Sequence, residues 1–451
     1  MLRLSRLAAC AAFLCAASST ALAQQAYPAT LAGHAVLPAL TLIAAPKDAP
    51  ADLQVSGKFT TGSRVEKLAS VEGKSVGRPT GISLPFKGQP VQGHSGIKRM
   101  ADGSYWILTD NGAGSKANSP DFMLHLSHYQ VDFQSGKFNR LKTVFLHDPD
   151  KKLPFRITQE GTKQRYLTGA DLDPESFQFA GGALWIGEEF GPFLVKADLQ
   201  GKVLAVFETQ VDGKVVRSPD APGVLMPGAP DAKPTAFAVK RSKGFEAMAA
   251  SKEGSKLYAL LEGALWNEEA KAYENLGGKQ YLRVLEFDVK SEQWTGRHWK
   301  YVMEANHHAI GDFNMIDGTT GLIIERDNGE GTADKACPAD NQRADCFHDL
   351  ARFKRVYKVE MSDANVGGEI RKIGYIDLMA IQDPQRLAKK PLNNGVLTFP
   401  FFTIENVDLV DGTHIVVGND NNLPFSSSRE PNKADDNELV LLEVGELLRA
   451  K

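Results

Sequence analysis

Between Asp173 and Phe193 the sequence reads DPESFQFAGGALWIGEEFGPF, with four carboxylates fencing one short apolar run. Asp173 and Glu175 stand before the run, and Glu188 and Glu189 follow it. Buried acids need partners. Two carboxylates ~5 Å apart at an effective dielectric of about 20 repel by roughly 3 kcal/mol. If such groups meet, they must take up protons or share a cation.

The arrangement recurs. Similar segments run from Gly93 to Gly114, Gly244 to Leu265, Ile310 to Gly331 and Thr403 to Asn422. Each opens on a small or acidic residue: Ser95, Glu175, Glu246, Asp312, Glu405. A short apolar strand follows, then a turn such as Asp102-Gly103, Gly181-Gly182 or Asp411-Gly412, where positive φ is tolerated. A second apolar strand returns, as YWIL, LWIG, LYALL, LIIE or IVVG. It ends in an acid or amide: Asp110-Asn111, Glu188-Glu189, Glu262, Glu325 with Asp327-Asn328, Asn419-Asp420.

Hairpins repeated at long intervals, with further strand-like runs such as MLHLSHYQVDF and YLRVLEFDV between them, describe propeller blades. The expected fold is all-β, a single β-propeller with loop insertions such as VRSPDAPGVLMPGAPDAKP. Five hairpins, plus one blade from the strands around Leu53–Leu68 and the C-terminal NELVLLEV, make it six-bladed. Closing the ring with both termini hides the sheet edges. An all-β sandwich is the alternative, but it gives no reason for an acid to recur at one strand end.

In a propeller the equivalent ends of successive inner strands converge on one channel mouth. Asp173, Glu175, Glu246, Glu325, Glu405 and Asp420 are therefore the expected metal ligands. Such oxygen-rich sets select hard cations, and Ca²⁺ is the natural one outside the cytosol. Glu188 and Glu189 are the catalytic candidates. Arg165, Lys243 and Arg326 are expected to hold an anionic substrate, since a metal with Arg or Lys suits phosphate esters. His307-His308 is read as a bystander pair. GHSGI lacks the last glycine of a nucleophile elbow, and DNGAGSK lacks P-loop spacing.

Composition restricts the rest. The hydrophobic share of 42% and charged share of 24% are those of a globular protein. A net charge of −3 without a basic stripe argues against a nucleic-acid partner. Residues 1–23, with Arg3, Arg6, an apolar run and Ala21-Leu22-Ala23, read as a cleaved secretory signal. Residues 24–451 then form the mature domain, with no membrane span. Two cysteines remain, Cys337 and Cys346, and outside the cytosol they are expected to pair.

These segments carry a resemblance. LTGADLDPESF with LWIGEEFGPFLVKAD, GFEAMA with LYALLEG, YLRVLEFDV, AIGDFNMID with LIIERDNG, and IENVDLVDGTHIVVGNDNN resemble the phytase-like secreted proteins described by "esterase-like activity of phytase". The likeness runs from about Gly93 to Val444. It implies a β-propeller in a bacterial envelope or secreted protein. It also implies calcium-dependent hydrolysis of phosphate esters, so the expected partner is a small phosphorylated ester. Two other readings stay open. One is a metal-dependent lactonase or carboxylic esterase using Glu175, Glu246, Asn406 and Asp420. The other is a non-catalytic binding propeller with structural calcium.

Overall fold

The computed structural model describes residues 24–222, 237–339 and 343–451. The expected signal and the middle of the loop insertion after Val216 lie outside them. The described chain is almost wholly β, with a single α-helical turn at Gly445–Arg449. Among the described residues no helix is long and apolar enough to cross a membrane.

Five antiparallel sheets form five blades, each beginning with one of the sequence hairpins. The first holds His94–Arg99, Tyr105–Thr109, His125–Asp132 and Lys137–Phe145. Pro174–Ala180, Ala183–Glu188, Phe193–Ala197 and Val203–Glu208 build the second. The third holds Ala247–Ala250, Lys256–Leu260, Lys279–Asp288 and Gln293–Val302. Ala309–Met315, Thr320–Arg326, Lys354–Glu360 and Arg371–Asp377 make the fourth. The fifth begins with Ile404–Leu409, His414–Asn419 and Asn437–Glu443. Its next strand is Thr30–Leu37, from the other end of the chain, pairing Ala35 with Leu439.

The first strand of every blade is innermost. These five pack side by side in a closed ring, the fifth against the first. The expectation of six blades is therefore corrected to five. NELVLLEV joins the fifth blade, Thr30–Leu37 pairs beside it, and the short strands Ile381–Gln382 and Val396–Leu397 extend the sheet. The stretch around Leu53–Leu68 forms only a 3₁₀ turn, Ala51–Gln54, and a two-residue strand, Val55–Ser56. Its polar run GKFTTGSRVEK lacks the apolar alternation that a blade strand needs.

Five apolar clusters fill the five gaps between blades. Leu108, Phe177 and Ile186 lie between the first two. Trp185, Phe245 and Phe287 join the second to the third, and Trp299, Tyr301 and Phe313 the third to the fourth. Ile324, Val356 and Val417 bridge the fourth and fifth. Ile107, Tyr129 and Leu439 close the circle.

Polar side chains fill the axis and tie neighbouring inner strands. Asn314 Nδ2 donates to Val407 O at 2.8 Å, and Gln178 Nε2 to Met248 O at 2.7 Å and to Asn314 Oδ1 at 2.8 Å. Asp312 Oδ2 accepts Val407 N at 3.1 Å. Gly311 is required here, because a Cβ on it would lie 2.1 Å from Ile404 O. Gly311→Ala is expected to cost about 3 kcal/mol by forcing two inner strands apart. Urea unfolding checks this, and an alanine variant as stable as the parent would contradict the packing. Cys337 and Cys346 form the expected disulfide, in the loop after the second strand of the fourth blade.

Candidate metal centre at the acidic mouth

The inner strands deliver their acids through irregular pairing. Four of the five inner hairpins shift register near the mouth. In the second blade Pro174 pairs with Glu188 and Ser176 with Gly187, leaving Glu175 as the extra residue. In the fifth, Ile404 pairs with Asn419 and Asn406 with Gly418, leaving Glu405 extra. A bulge bends the strand and re-aims the side chain it carries. Here it turns an acid toward the axis while the apolar residues around it keep facing the blade cores.

Two groups of carboxylates result: Asp173, Glu175 and Glu189, and Glu189, Glu246 and Glu262. Within each group one oxygen per residue lies within 4.8 Å of the others. Glu189 belongs to both. All five are buried except Glu175, which is partly exposed. Asp173 Oδ1 and Glu189 Oε1 find no hydrogen-bond partner among the described residues, and each residue is only 3% exposed. Glu405, Asp420 and Asp110 extend the acidic field. Ser95 Oγ donates to Glu405 Oε2 at 2.9 Å, and Asn422 N to Asp420 Oδ1 at 2.7 Å. Gly93, with φ of +59°, makes room for Asp110, whose Oδ1 would lie 2.1 Å from a Cβ there.

Burial is the main reason these groups hold their protons, and their neighbours add to it. Asp173 is pushed up to about 8, by burial and then by the charges of Asp110 and Glu188. Glu405 rises to about 7 by burial, although Arg326 opposes the shift. Burial lifts Asp110 to about 6. Glu175, Glu189, Glu246 and Asp420 are driven well above the carboxylate range by burial first and then by a neighbouring acid: Asp173 for Glu175, Glu262 for Glu189 and Glu246, and Glu405 for Asp420.

Lys243 and Arg326 reach this mouth. Lys243 pairs with Glu262. Burial disfavours its charge, but Glu262 and Glu189 hold its proton above the usual lysine range. Arg326 Nη2 lies 3.5 Å from Glu405 Oε1, its guanidinium 5.4 Å from the centre of the Phe402 ring. Its Nε is buried without a partner.

The other expected site residues lie elsewhere or are otherwise engaged. Glu325 is not with the acids. It accepts Tyr301 Oη at 2.8 Å, Glu304 N at 2.8 Å and Lys372 Nζ at 2.8 Å, and it meets His308 Nδ1 at 2.9 Å. Burial favours its protonation, but His308 and Lys372 outweigh burial and keep the group low. Successive side chains of a strand face opposite ways, so Arg326, not Glu325, reaches the mouth. Arg165 is also engaged in ion pairs. It is buried against Asp148 at 3.2 Å and Glu160 at 2.7 Å, and those two acids use its charge. Glu188 is engaged by its own turn, its oxygens accepting Phe190 N at 2.8 Å, Gly191 N at 2.7 Å and Phe193 N at 2.7 Å. Asn406 donates to His94 O, and its Oδ1 is buried without a partner. Asp110 and Glu262 were not among the expected ligands. Their signal was present, since each ends its second strand as Glu189 and Asp420 end theirs.

The donors at this mouth are carboxylate oxygens, two of them buried and unpartnered, and no nitrogen or sulfur joins them among the described residues. Such a set fits a hard divalent cation.

Several known proteins are similar to this chain. An uncharacterized secreted protein of Arthroderma benhamiae is 28% identical over 117 residues, covering 24% of this chain and 22% of the relative. The match thus spans about a fifth of that relative's length. Among solved structures, the Dos1 propeller aligns over 80% of this chain and 70% of its own, at 9% identity and a TM-score of 0.30. The periplasmic gluconolactonase of Pseudomonas aeruginosa aligns over 86% and 98%, at 13% identity and a TM-score of 0.28. The phytase-like family described as "Esterase-like activity of phytase" matches residues 89–423, from just before the first inner strand to just beyond the last hairpin. With all five inner hairpins inside that match, the chain belongs to this phytase-like family.

Proposed function

We propose that this protein is a secreted or periplasmic hydrolase of phosphate esters that requires a divalent cation, calcium by preference. The observation that carries the reading is Glu189, shared by two carboxylate groups and holding a buried, unpartnered oxygen. Asp173, Glu175, Glu189, Glu246 and Glu262 would hold the cation. A cation bound there would offset their repulsion and would supply Lewis-acid chemistry to an ester oxygen. Lys243 and Arg326 supply positive charge at the rim, where an anionic ester must approach an acidic mouth. Glu188 is taken up by its turn, so Glu189 is the catalytic candidate that remains. The disulfide and the leader-like pattern of residues 1–23 support a location outside the cytosol.

The test is phosphate release from a panel of phosphomonoesters, phytate included, by metal-stripped protein with Ca²⁺ restored. Release that needs Ca²⁺ and falls at least about a hundredfold in Glu189→Gln is the expected result. No release at any Ca²⁺ level, with lactones opened instead, would replace the phosphate reading by a lactonase. Neither reaction, with calcium still raising thermal stability, would leave a binding propeller.

A further inference from the structure

The inner hairpins have a second end. Opposite the acids, the turns at Gly181-Gly182, Gly254 and Asp317 meet one face of the first blade around a cavity of about 790 Å³. This is the size of a small-molecule site. Nothing in the chemistry of the acidic mouth uses it.

Its wall is set by strand register. Lys98 pairs with Trp106, Trp106 with His128, and His128 with Lys142. Directly opposed residues on neighbouring strands share a face, so these four form one row across the blade. The row spans three strand spacings, about 14 Å. Its ends are cationic and its middle is aromatic. The Trp106 and His128 rings stack in parallel, 4.5 Å apart with an interplanar angle of 1°. Ser104 Oγ anchors His128 Nε2 at 2.7 Å, and the Phe179 edge meets Trp106 at 5.8 Å. Trp106 is thus held from behind as a flat platform, and it lines the cavity while His128 backs it.

Three lysines line the same cavity. Lys98 is engaged, 3.2 Å from Asp408. Lys142 and Lys252 are exposed and form no ion pair among the described residues. Two acids also line the cavity, Glu253 and Asp317. Asp317 Oδ1 accepts Thr319 N at 2.8 Å and Thr320 N at 2.7 Å, and its Oδ2 accepts Thr320 Oγ1. Three lysines against two acids line this cavity, whereas the other mouth is acidic.

We infer that this cavity is a second ligand site, separate from the acidic mouth, for a small organic anion that carries a flat ring. The ring lies against Trp106, where stacking on an aromatic face is favourable. The acid group is met by Lys142 and Lys252.

Naphthalene-2-sulfonate is the probe, titrated by calorimetry and followed by tryptophan fluorescence. Its neutral counterpart 2-naphthol and the ringless methanesulfonate are the controls. The expected result is one saturable site per chain, with 2-naphthol about tenfold weaker and methanesulfonate silent. Lys142→Ala with Lys252→Ala, both at exposed positions, should weaken the sulfonate about tenfold and leave 2-naphthol unchanged. Trp106→Leu should abolish binding of both ring compounds. Glu189→Gln should change none of these, because the acids lie at the far end of the hairpins. Absence of saturable binding overturns the proposal. So does equal affinity in the parent and the double lysine variant, which would leave only unspecific apolar contact.

Discussion

Replacing Glu189 by glutamine is expected to stabilise the metal-free protein and to remove its response to calcium. Most substitutions of buried residues destabilise, so the sign is diagnostic. Glu189 faces Asp173 and Glu175 on one side and Glu246 and Glu262 on the other. Each neighbouring pair of charges ~5 Å apart costs roughly 3 kcal/mol at an effective dielectric of about 20. Protonation relieves part of that cost in the native protein. Glutamine, nearly the same shape, relieves it permanently. We expect a gain of about 1–2 kcal/mol at pH 8 in a chelator, seen as an apparent Tm higher by several degrees. In calcium the order reverses. A cation at about a hundred times its Kd stabilises the parent by about 2.7 kcal/mol. Glu189→Gln takes one carboxylate from both groups and should lose most of that. Thermal melts of both proteins, in chelator and in calcium, check the claim. A glutamine variant less stable than the parent in chelator, yet equally raised by calcium, would show that Glu189 is only a packing residue.

The second large effect is the pH dependence of the metal-free protein, which should run opposite to ordinary acid denaturation across the neutral range. Asp110, Glu405 and Asp173 have native values of about 6, 7 and 8. Their ordinary values are 3.8 for Asp and 4.5 for Glu. Between those limits the folded chain binds more protons than the unfolded one. Stability must then fall as pH rises, by up to about 1.4 kcal/mol per pH unit for each group still protonated. The penalty is absent below about pH 4 and complete once pH passes about 8. Other carboxylates act in the opposite sense at lower pH. Burial would raise Glu438, but Arg429 and His34 hold it down at about 2, so its contribution is lost on acidification below about pH 4.5. The metal-free protein should therefore be most stable near pH 5 and lose stability toward pH 8. Calcium held here would bind the deprotonated form, so saturating calcium should move the optimum upward. Melting temperatures from pH 4.5 to 8.5, with chelator and with calcium, measure both curves. A metal-free protein that gained stability from pH 5 to 8 would mean that these acids are not held together in solution.

Much of this was legible in the residues. The five hairpins, their Gly and Asp-Gly turns and the acids at their ends lie within short stretches, and local pattern is what sequence carries. From that came the propeller, the acidic mouth, most of its carboxylates and the family likeness. The pairing of Cys337 with Cys346 was also visible, because only two cysteines follow residues 1–23.

What the sequence did not determine depends on register and on contacts between distant residues. Five blades rather than six follow from Thr30–Leu37 pairing with Asn437–Glu443, a contact between the two ends of the chain. Arg326 reaches the mouth and Glu325 does not, because a pleated strand turns adjacent side chains to opposite faces. Glu175 and Glu405 face the axis because bulges free them from their ladders, and no residue type announces a bulge. Glu188 and Glu189 are chemically identical in the chain. The turn through Phe193 engages one, and the meeting of two carboxylate groups from neighbouring blades leaves the other with an open oxygen. The row from Lys98 to Lys142 likewise exists only once four strands lie in register. Residue types decided which chemistry was available to this protein. Tertiary structure decided which carboxylates share it, because proximity across blades is a property of the closed ring and not of any one segment.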